Sequence, residues 1–287
     1  MLEEIDHESG TQQSAFKRSL RIKKGGVLLA EIAAPPMNLL GPEPVRDLVS
    51  LIQQTEADDS IRVLVFKSAD PDYFVSHVDV TRIDEYRELA TKLSGEPSIA
   101  MLFRYLSASR LVAIAQIKGR VRGMGNEFVL ACDMRFAARA PAIFGQPEAG
   151  FVLIPGAGAA QHLTRLIGRG RALEMLLSAE DYDAQMAERY RWINRALPAA
   201  ALGEFVKSLA HRIESFPGFV LAAIKERVNA VALAPAEDFR RDSSLFLDCA
   251  RNPEAHDRIN AAMKRGFQTR EAEMALARML GDLARYA

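Results

Sequence analysis

Two glutamates separated by 21 positions, Glu127 and Glu148, are the residues of this chain best suited to chemistry. Each follows a turn of small residues and lies within otherwise apolar sequence. Apolar surroundings are costly for a carboxylate unless it is hydrogen-bonded, paired, or held with a raised pKa for proton transfer. Two such carboxyl groups facing one cavity can take a proton on one side and give a proton on the other. The pair therefore predicts an enzyme that uses general acid–base catalysis.

The sequence before Glu127 predicts where an oxyanion could bind. Glu127 follows Gly123 and Gly125 and falls in the first turn of a helix expected to begin near Met124. The first turn of a helix has unpaired backbone N–H groups and a partial positive charge, and both stabilise an oxyanion. From the residues alone, two plainer interpretations stay open. Glu127 would then be a favourable acid in a first helical turn, and Glu148 an exposed loop acid.

Eight short motifs, taken in order, resemble the crotonase superfamily of enoyl-CoA hydratases and isomerases. They span about residues 26 to 198, and the last third of the chain resembles the family's helical tail only loosely. A single motif of this kind is unspecific, whereas the ordered set is specific. The motifs are Pro35–Leu40 (PPMNLL), Ile61–Ser68 (IRVLVFKS), Phe74–Asp79 (FVSHVD), Gly123–Glu127 (GMGNE), Ala131–Arg135 (ACDMR), Phe144–Glu148 (FGQPE), Pro155–Gly158 (PGAG) and Arg171–Glu174 (RALE).

The resemblance assigns roles to individual residues. It implies that Glu127 and Glu148 are the two catalytic acids, and that the backbone N–H groups of Val78 and Met124 form the oxyanion hole for a thioester carbonyl. Met124 stands where many members have glycine. The donor is a backbone group, so the replacement is chemically permitted but reshapes the pocket. The resemblance also implies contacts with the substrate or its coenzyme A part at Met37, Ser76, His77, Gly123, Gly125 and Lys264.

Several residues in or beside these motifs, together with Lys264 near the C-terminus, are open to more than one interpretation. His77 occupies a position where the family has glycine, and we expect it to point to the rim of the site or to solvent; the alternative is a new active-site group. Arg122 is expected either to pair with an acid or to orient the substrate. Asp79 is expected to cap the following helix. Lys264 either contacts the CoA phosphates or belongs to an ordinary solvated helix face.

The resemblance implies an acyl-CoA-processing enzyme, a hydro-lyase that reversibly hydrates a 2-enoyl-CoA thioester through an oxyanion-stabilised enolate. Having both acids favours hydration over isomerisation, because the resembled isomerases rely on the second acid alone. The alternatives are an enoyl-CoA double-bond isomerase or another enolate-forming enzyme and, in a different class, a catalytically inactive acyl-CoA-binding or assembly protein. No cofactor is expected beyond the coenzyme A of the substrate, and no metal, since the histidines and cysteines show no metal-ligand spacing.

Composition limits the partners. Lysine plus arginine and aspartate plus glutamate each number 37, so the formal net charge is zero. A neutral chain has no overall positive field to attract nucleic acid or anionic membranes, and we predict neither as a partner. Residues 1–14 are polar and acidic, without the apolar core of a signal peptide, which predicts a flexible tail. Cys132 and Cys249 are expected to be free thiols in buried helical segments, as is typical of a cytoplasmic protein.

The elements that must position these residues follow from hydrophobic periodicity. We predict a hairpin around Gly25 and Gly26, a helix over 44–54, strands over 62–66, 112–117 and 134–137, a helix over 95–109, and almost only helix after Pro155. Alternating strands and helices followed by helices alone predict an α/β protein. The resemblance sharpens this prediction to a crotonase-like spiral of ββα units with a helical C-terminal region. The expected divisions are a tail of residues 1–14, a spiral core of 15–198 and a helical region of 199–287.

The helical region also suggests an assembly. It carries apolar residues at helical spacing, which we expect to exceed what one subunit's core can cover. Relatives in the resembled family are commonly trimers or pairs of trimers, so a homotrimer or homohexamer is expected, with Lys264 completing the CoA site. The apolar positions that carry this expectation are Phe205, Leu209, Ile213, Met274, Leu276, Met279 and Leu280.

Overall fold

The structure of the protein is a computed structural model that describes residues 21–285. The predicted flexible tail of residues 1–14 lies outside the described residues. Within the described part, the strands form two sheets. The larger sheet has the order β1 (Arg21–Lys24), β2 (Val27–Ile32), β3 (Val63–Ser68), β5 (Val112–Ile117), β7 (Met134–Ala138), β10 (Arg195–Leu197). The smaller sheet has the order β4 (Tyr73–Val75), β6 (Arg120–Arg122), β8 (Ile143–Gly145), β9 (Asp181–Asp183).

Helices connect and cover these sheets, and a short 3-10 turn over Glu148–Phe151 follows β8. The helices are α1 (Pro42–Ala57), α2 (Ile83–Ser94), α3 (Ile99–Ala108), α4 (Met124–Ala131), α5 (Ala159–Ile167), α6 (Arg169–Ser178), α7 (Ala184–Arg189), α8 (Ala199–Glu214), α9 (Gly218–Ala232), α10 (Ala236–Ala250), α11 (Pro253–Lys264), α12 (Arg270–Glu273) and α13 (Leu276–Arg285).

The strand order shows a repeated ββα path. Strands β2, β3, β5 and β7 are parallel neighbours in the larger sheet, and β4, β6 and β8 are parallel neighbours in the smaller one. Each of β3, β5 and β7 is followed by its counterpart in the smaller sheet and then by helix, so successive units advance along both sheets together. This path is the spiral of ββα units that was expected, with helices alone after β10.

The continuous apolar run of β3 reflects burial on both faces of the larger sheet. Leu64 and Phe66 face the main core, which includes residues of α1, α3 and α4, while Val63 and Val65 face α8. Alternate side chains of a strand point to opposite faces. A strand covered by helices on both faces therefore needs apolar residues at every position. This requirement explains why the strand was predictable from a short apolar run.

Two glycines allow the smaller sheet and helix α4 to pack closely together next to the site. Gly119 turns the chain from β5 into β6 with a φ of +72°, and a Cβ there would lie 2.2 Å from the carbonyl carbon of Asp72. A Cβ on Gly125 would lie 2.3 Å from the carbonyl oxygen of Val75. Only glycine fits where backbones come this close. The first turn of α4 therefore sits directly on the end of β4.

The structure differs from the sequence prediction after Pro155. Two short strands, β9 and β10, add to the edges of the two sheets in a region predicted to be almost entirely helical. Each has three residues, which is too short to show a period of its own, so pairing with an existing sheet edge decides its conformation. The division into a core of 15–198 and a helical region of 199–287 stays a prediction.

The apolar residues chosen from sequence for assembly mostly pack within the chain. Phe205, Leu209 and Ile213 pack against the sheet beneath α8, and Leu276 and Leu280 are buried beside Phe151. The expectation that these residues form a surplus apolar face is therefore wrong, apart from the half-exposed Met274. Among the described helices, none combines the length and apolar character needed to cross a bilayer.

Candidate active site

Glu127 is held at the junction of two helix N-termini. Gly123, with a φ of +49°, precedes α4, and the first helical hydrogen bond runs from the Glu127 amide to the Gly123 carbonyl oxygen at 3.0 Å. The Glu127 side chain is buried, and its Oε1 accepts from the amides of Ala157 at 2.8 Å and Ala159 at 3.0 Å, where α5 begins. These two donors fix the carboxyl group in one orientation.

Burial raises the pKa of Glu127 to about 7. The amide hydrogen bonds from Ala159 and Ala157 favour the charged form and oppose that rise, while the nearby acid Asp242 of α10 adds to it. A carboxyl group that titrates near neutrality exists in both forms at physiological pH. Glu127 is therefore suited to accept a proton as a general base, because bases with a pKa near the working pH are the most effective.

Glu148 opens the 3-10 turn that follows β8 and Pro147. Its Oε2 is buried without a hydrogen-bond partner among the described residues. Burial and the proximity of Glu127 raise the pKa of Glu148 well above its ordinary value. Its Oε1 lies 2.9 Å from the point where a Cβ on Gly123 would be, so a side chain at that position would collide with the acid. Glu148 is thus a buried carboxyl group with a raised pKa, pressed against the start of α4.

Both acids face one cleft, whose empty volume, open solvent included, is about 390 Å³. α10 forms one wall. Its Phe246 packs so closely on Gly156 that a Cβ on Gly156 would lie 2.5 Å from the Cβ of Phe246. The lining residues are Val78, Tyr86, Arg87, Ile99, Met124, Glu127, Glu148, Gly156, Ser243 and Phe246. The two predicted acids and the two predicted oxyanion-hole residues are therefore brought to the same cavity.

The geometry around Val78 and Met124 agrees with backbone donors at these positions. Val78 and Leu40 form an isolated parallel bridge that uses the His77 carbonyl and the Asp79 amide. The amide of Val78 itself then points away from Leu40, because neighbouring backbone groups of an extended segment alternate. Met124 is the first residue of α4, and its amide is one of the N–H groups for which helix geometry provides no intrahelical acceptor.

The other predicted contact residues fall into two groups. Met37, Ser76 and Gly125 belong to the support of the site: all are buried, the Ser76 hydroxyl donates to the Met37 carbonyl, and Gly125 packs on β4. None of the three lines the cleft. Lys264 is exposed at the end of α11. Its predicted contact with CoA phosphates stays a prediction.

The structure corrects the expectation for His77, which does not point to the rim or to solvent. Its ring is buried and stacks on Phe267 with 4.8 Å between ring centroids. Nε2 lies 2.9 Å from Oε1 of Glu273. His77 is not among the residues with positive φ, so extended backbone there accommodates the side chain without the glycine conformation. Local sequence could not show this, because the partners belong to a distant segment.

Arg122 and Asp79 have structural partners. Arg122 is buried and holds Asp181 through two hydrogen bonds of 2.7 Å each, which confirms the interpretation that it pairs with an acid. Asp79 does not cap α2: the residue before that helix is Arg82, without a side-chain cap, and Asp79 instead accepts from the amide and hydroxyl of Thr81. The interpretation of Asp79 as a helix cap is therefore wrong.

Sequence reasoning missed the cleft residues of α10. Asp242 contributes to the raised pKa of Glu127, and Ser243 and Phe246 line the cavity. They sit on an ordinary amphipathic helix with no motif that signals a functional site. The cysteines are both free, with Cys132 buried as expected and Cys249 only partly buried.

Comparison with known proteins places this site in a family. The family model described as enoyl-CoA hydratase/isomerase matches residues 22–268, most of the chain. The chain belongs to the enoyl-CoA hydratase/isomerase family.

Three relatives match this chain over nearly their whole length. A short-chain-enoyl-CoA hydratase of Clostridium acetobutylicum is 26% identical over 254 residues, covering 86% of this chain and 97% of the relative. The crystal structure of a candidate enoyl-CoA hydratase from Streptomyces avermitilis is 48% identical, covers 94% of this chain and 99% of that chain, and superposes with a TM-score of 0.90. DspI of Pseudomonas aeruginosa is 26% identical, with a TM-score of 0.69 and coverage of 90% and 98%. The crotonase fold expected from the sequence motifs is thereby confirmed.

Proposed function

We propose that this member of the enoyl-CoA hydratase/isomerase family reversibly hydrates a 2-enoyl-CoA thioester. The observation that carries the proposal is the pair of buried carboxyl groups, Glu127 and Glu148, which face one cleft and whose pKa values are both raised by burial. Hydration of a double bond needs a base for the attacking water and an acid for the carbon that becomes negative. A group that titrates near pH 7 and a neighbour that holds its proton meet these two needs.

The reaction begins with polarisation of the thioester. The carbonyl oxygen accepts from the amides of Val78 and Met124, and each such donor stabilises the transition state by about 3 kcal/mol. Ionised Glu127 takes a proton from water as the water oxygen bonds to the β-carbon, and the electrons of the double bond move to the thioester oxygen. Glu148 then delivers its proton to the α-carbon of the enolate. The proton on Glu127 must return to Glu148 before the next turnover.

The remaining assignments belong to the same proposal. The CoA part of the substrate extends from the cleft to the surface, where its phosphates bind the exposed Lys264, while Met37 and Ser76 support the Val78 backbone. The thioester and its two amide donors supply the activation, so the scheme needs neither a metal nor a redox cofactor. The protein acts in the cytoplasm as a homotrimer or homohexamer.

Exchange of each acid for its neutral isostere tests the assignment. We expect Glu127→Gln and Glu148→Gln each to lower the turnover of crotonyl-CoA hydration by at least ~100-fold, as for loss of a general acid or base. Circular dichroism verifies that each variant is folded, and the exposed Glu254→Gln serves as a matched control. Near-normal hydration by Glu127→Gln would refute the two-acid mechanism.

One observation keeps double-bond isomerisation as a second candidate. Oε2 of Glu148 has no partner among the described residues, whereas Glu127 is held by two amides. A single acid that is free to carry a proton between two carbons suffices for isomerisation. A Glu127→Gln variant that loses hydration but still moves a 3-enoyl-CoA double bond would favour this function. If the wild-type protein binds acyl-CoA but turns over neither substrate, it is instead a binding protein.

A further inference from the structure

His77, immediately before the oxyanion donor Val78, makes two hydrogen bonds through its ring. Nδ1 lies 2.7 Å from the carbonyl oxygen of Val78, and Nε2 lies 2.9 Å from Oε1 of Glu273. A carbonyl oxygen can only accept, so Nδ1 carries a proton. The ring is buried and stacked on Phe267, which leaves it no other orientation at low cost. The carbonyl group of Val78, which belongs to the peptide after the donor amide, is therefore connected to Glu273 through one imidazole.

Arg122, two residues before the other oxyanion donor, is connected to the same glutamate. Its Nη1 donates to the backbone carbonyl of Glu273 at 2.9 Å and lies 3.7 Å from the Glu273 carboxyl oxygen Oε2. Nε and Nη2 of Arg122 hold Asp181. Since the Arg122 side chain is buried and all these contacts are fixed, the strand end that leads into Gly123 and Met124 is tied to Glu273 as well.

Glu273 is a buried carboxyl group held by two basic side chains. Burial alone would raise the pKa of Glu273, but His77 and Arg122 outweigh it and hold that pKa below the ordinary value of a glutamate. Nε2 of His77 and the guanidinium of Arg122 both face the Glu273 carboxyl group, and Arg122 also holds Asp181. A buried charge cluster of this kind is strongly perturbed when one member is removed, because its partner is left without a counter-charge.

We propose that Glu273 is a positioning residue that sets the geometry of the oxyanion hole by bracing the two segments that carry its amides, the Val78 segment through His77 and the Met124 segment through Arg122. This inference rests on the proposed oxyanion hole and extends it to a residue of the C-terminal helical region. Glu273 is not among the residues that line the cleft. Its effect is on the spacing of the two amides, and a displacement of about 1 Å in catalytic groups can cost ~100-fold in rate.

The same segment supplies a matched control. Arg270, three residues before Glu273, binds Asp72 at 2.8 Å and Asp70 at 2.5 Å and lies over the Tyr73 ring. These contacts fasten the segment to the loop between β3 and β4 without touching His77, Val78, Arg122 or Met124. Arg270→Gln therefore removes docking contacts of the same segment and leaves the bracing cluster in place.

The test uses a probe that reports carbonyl polarisation directly. 4-(Dimethylamino)cinnamoyl-CoA carries an electron-donating amine conjugated to the thioester, so its absorption moves to the red when the carbonyl accepts hydrogen bonds. We compare the full-length wild type with Glu273→Gln, which keeps the shape of the side chain, and with His77→Gln. His77→Gln keeps a polar group near Glu273 and removes the donor to the Val78 carbonyl. Steady-state kinetics and melting temperatures are recorded for each protein.

We expect both variants to lose at least half of the red shift and ~10- to ~100-fold of kcat, with KM changing by less than about threefold. Arg270→Gln should lower the melting temperature yet keep the red shift and kcat of the wild type. The inference is overturned if Glu273→Gln and His77→Gln keep the full red shift, or if Arg270→Gln loses as much of it as they do. A wild type without any red shift overturns the oxyanion hole itself, which separates failure of the proposed function from failure of the brace.

Discussion

Glu127 and Glu148 predict a characteristic dependence of the proposed hydration on pH. Activity requires ionised Glu127, whose pKa burial raises to about 7, and protonated Glu148, whose pKa burial and Glu127 raise well above its ordinary value. We expect kcat/KM to rise through about pH 7 and to fall at higher pH, with two apparent pKa values that belong to the pair. Initial rates between about pH 5 and 10 check this. A rate that falls steadily from the acid end upward would contradict the roles of the two acids.

Glu127 also predicts a conflict between activity and stability. Its pKa is higher in the folded state, about 7 against an ordinary value of 4.5, so the folded state binds the proton more tightly. The stabilisation of the fold that comes from this tighter proton binding is fully present below pH 4.5 and is lost as pH rises through about 7. Glutamine does not titrate, so the Glu127→Gln variant does not lose this stabilisation. Between about pH 4.5 and 8, its free energy of unfolding should rise by up to about 3 kcal/mol relative to that of the wild type. Urea unfolding at both pH values measures the difference, and an equal pH dependence in both proteins would contradict it.

What the sequence could predict at this scale depended on distance along the chain. The acids and the glycines before them were predictable, because the turn that places each acid lies within a few residues of it. The environment of His77 was not, since its partner Glu273 lies 196 positions away. Asp242 likewise acts on Glu127 from a separate helix. No local pattern records such contacts.

At the scale of elements, the contact between α4 and β4 is the feature on which the site depends. A methyl group at Gly125 would meet the Val75 carbonyl at 2.3 Å, so α4 would have to move away from the strand end. We expect Gly125→Ala to abolish the proposed hydration and to lower the free energy of unfolding by about 1–3 kcal/mol or more, as for overpacking in a core.

Gly170 provides the control for that prediction. It lies in α6, and a Cβ at this position would have no atom within 4 Å, so replacement meets no obstacle. Gly170→Ala should raise the free energy of unfolding by about 0.5–1 kcal/mol, because alanine has the higher helix propensity, and should leave kcat unchanged. Equal effects of the two substitutions on kcat would show that the close approach at Gly125 is unimportant.

The central strands of the larger sheet were predicted better than the short strands at the sheet edges. The run over 62–66 and the segment 112–117 were predicted correctly, since a strand buried on both faces needs apolar residues throughout. β9 and β10 were missed because a three-residue strand owes its conformation to the sheet edge it joins. The sequence thus predicted the strands of the repeating units, whereas the edge strands β9 and β10 depend on packing against an existing sheet.

At the scale of the whole molecule, α9 carries the apolar surface that the proposed assembly requires. Its inward face bears Lys225 and Asn229, which bind Asp133 and the Ser107 carbonyl. Its outward face bears Phe219 and Val231, which are 78% and 88% exposed, together with Ile224 and Val228. A helix with its polar residues inside and its apolar residues outside is unusual for a monomer. We infer that this face is covered in the oligomer.

Light scattering tests the oligomer. We expect a mass three or six times the single-chain value of 31.7 kDa, and Val231→Glu should shift it towards the monomer. Leu177, 70% exposed on α6, gives the control substitution Leu177→Glu, which should leave the mass unchanged. A wild-type mass near 31.7 kDa at micromolar concentration would reject the assembly. Deleting residues 270–285 is unsuitable as a test, because it also removes Glu273 from the site.

The brace of His77 and Arg122 by Glu273 has a kinetic consequence for refolding. The contact between His77 and Glu273 closes a loop of 196 residues, and closing long loops is entropically costly and slow compared with forming local helices. After dilution from denaturant, the far-ultraviolet signal of the helices should return before catalytic activity does. A chain that looks folded by its secondary structure would then still hold its two amides at the wrong spacing, and it would acquire its chemistry only when the last distant contact forms.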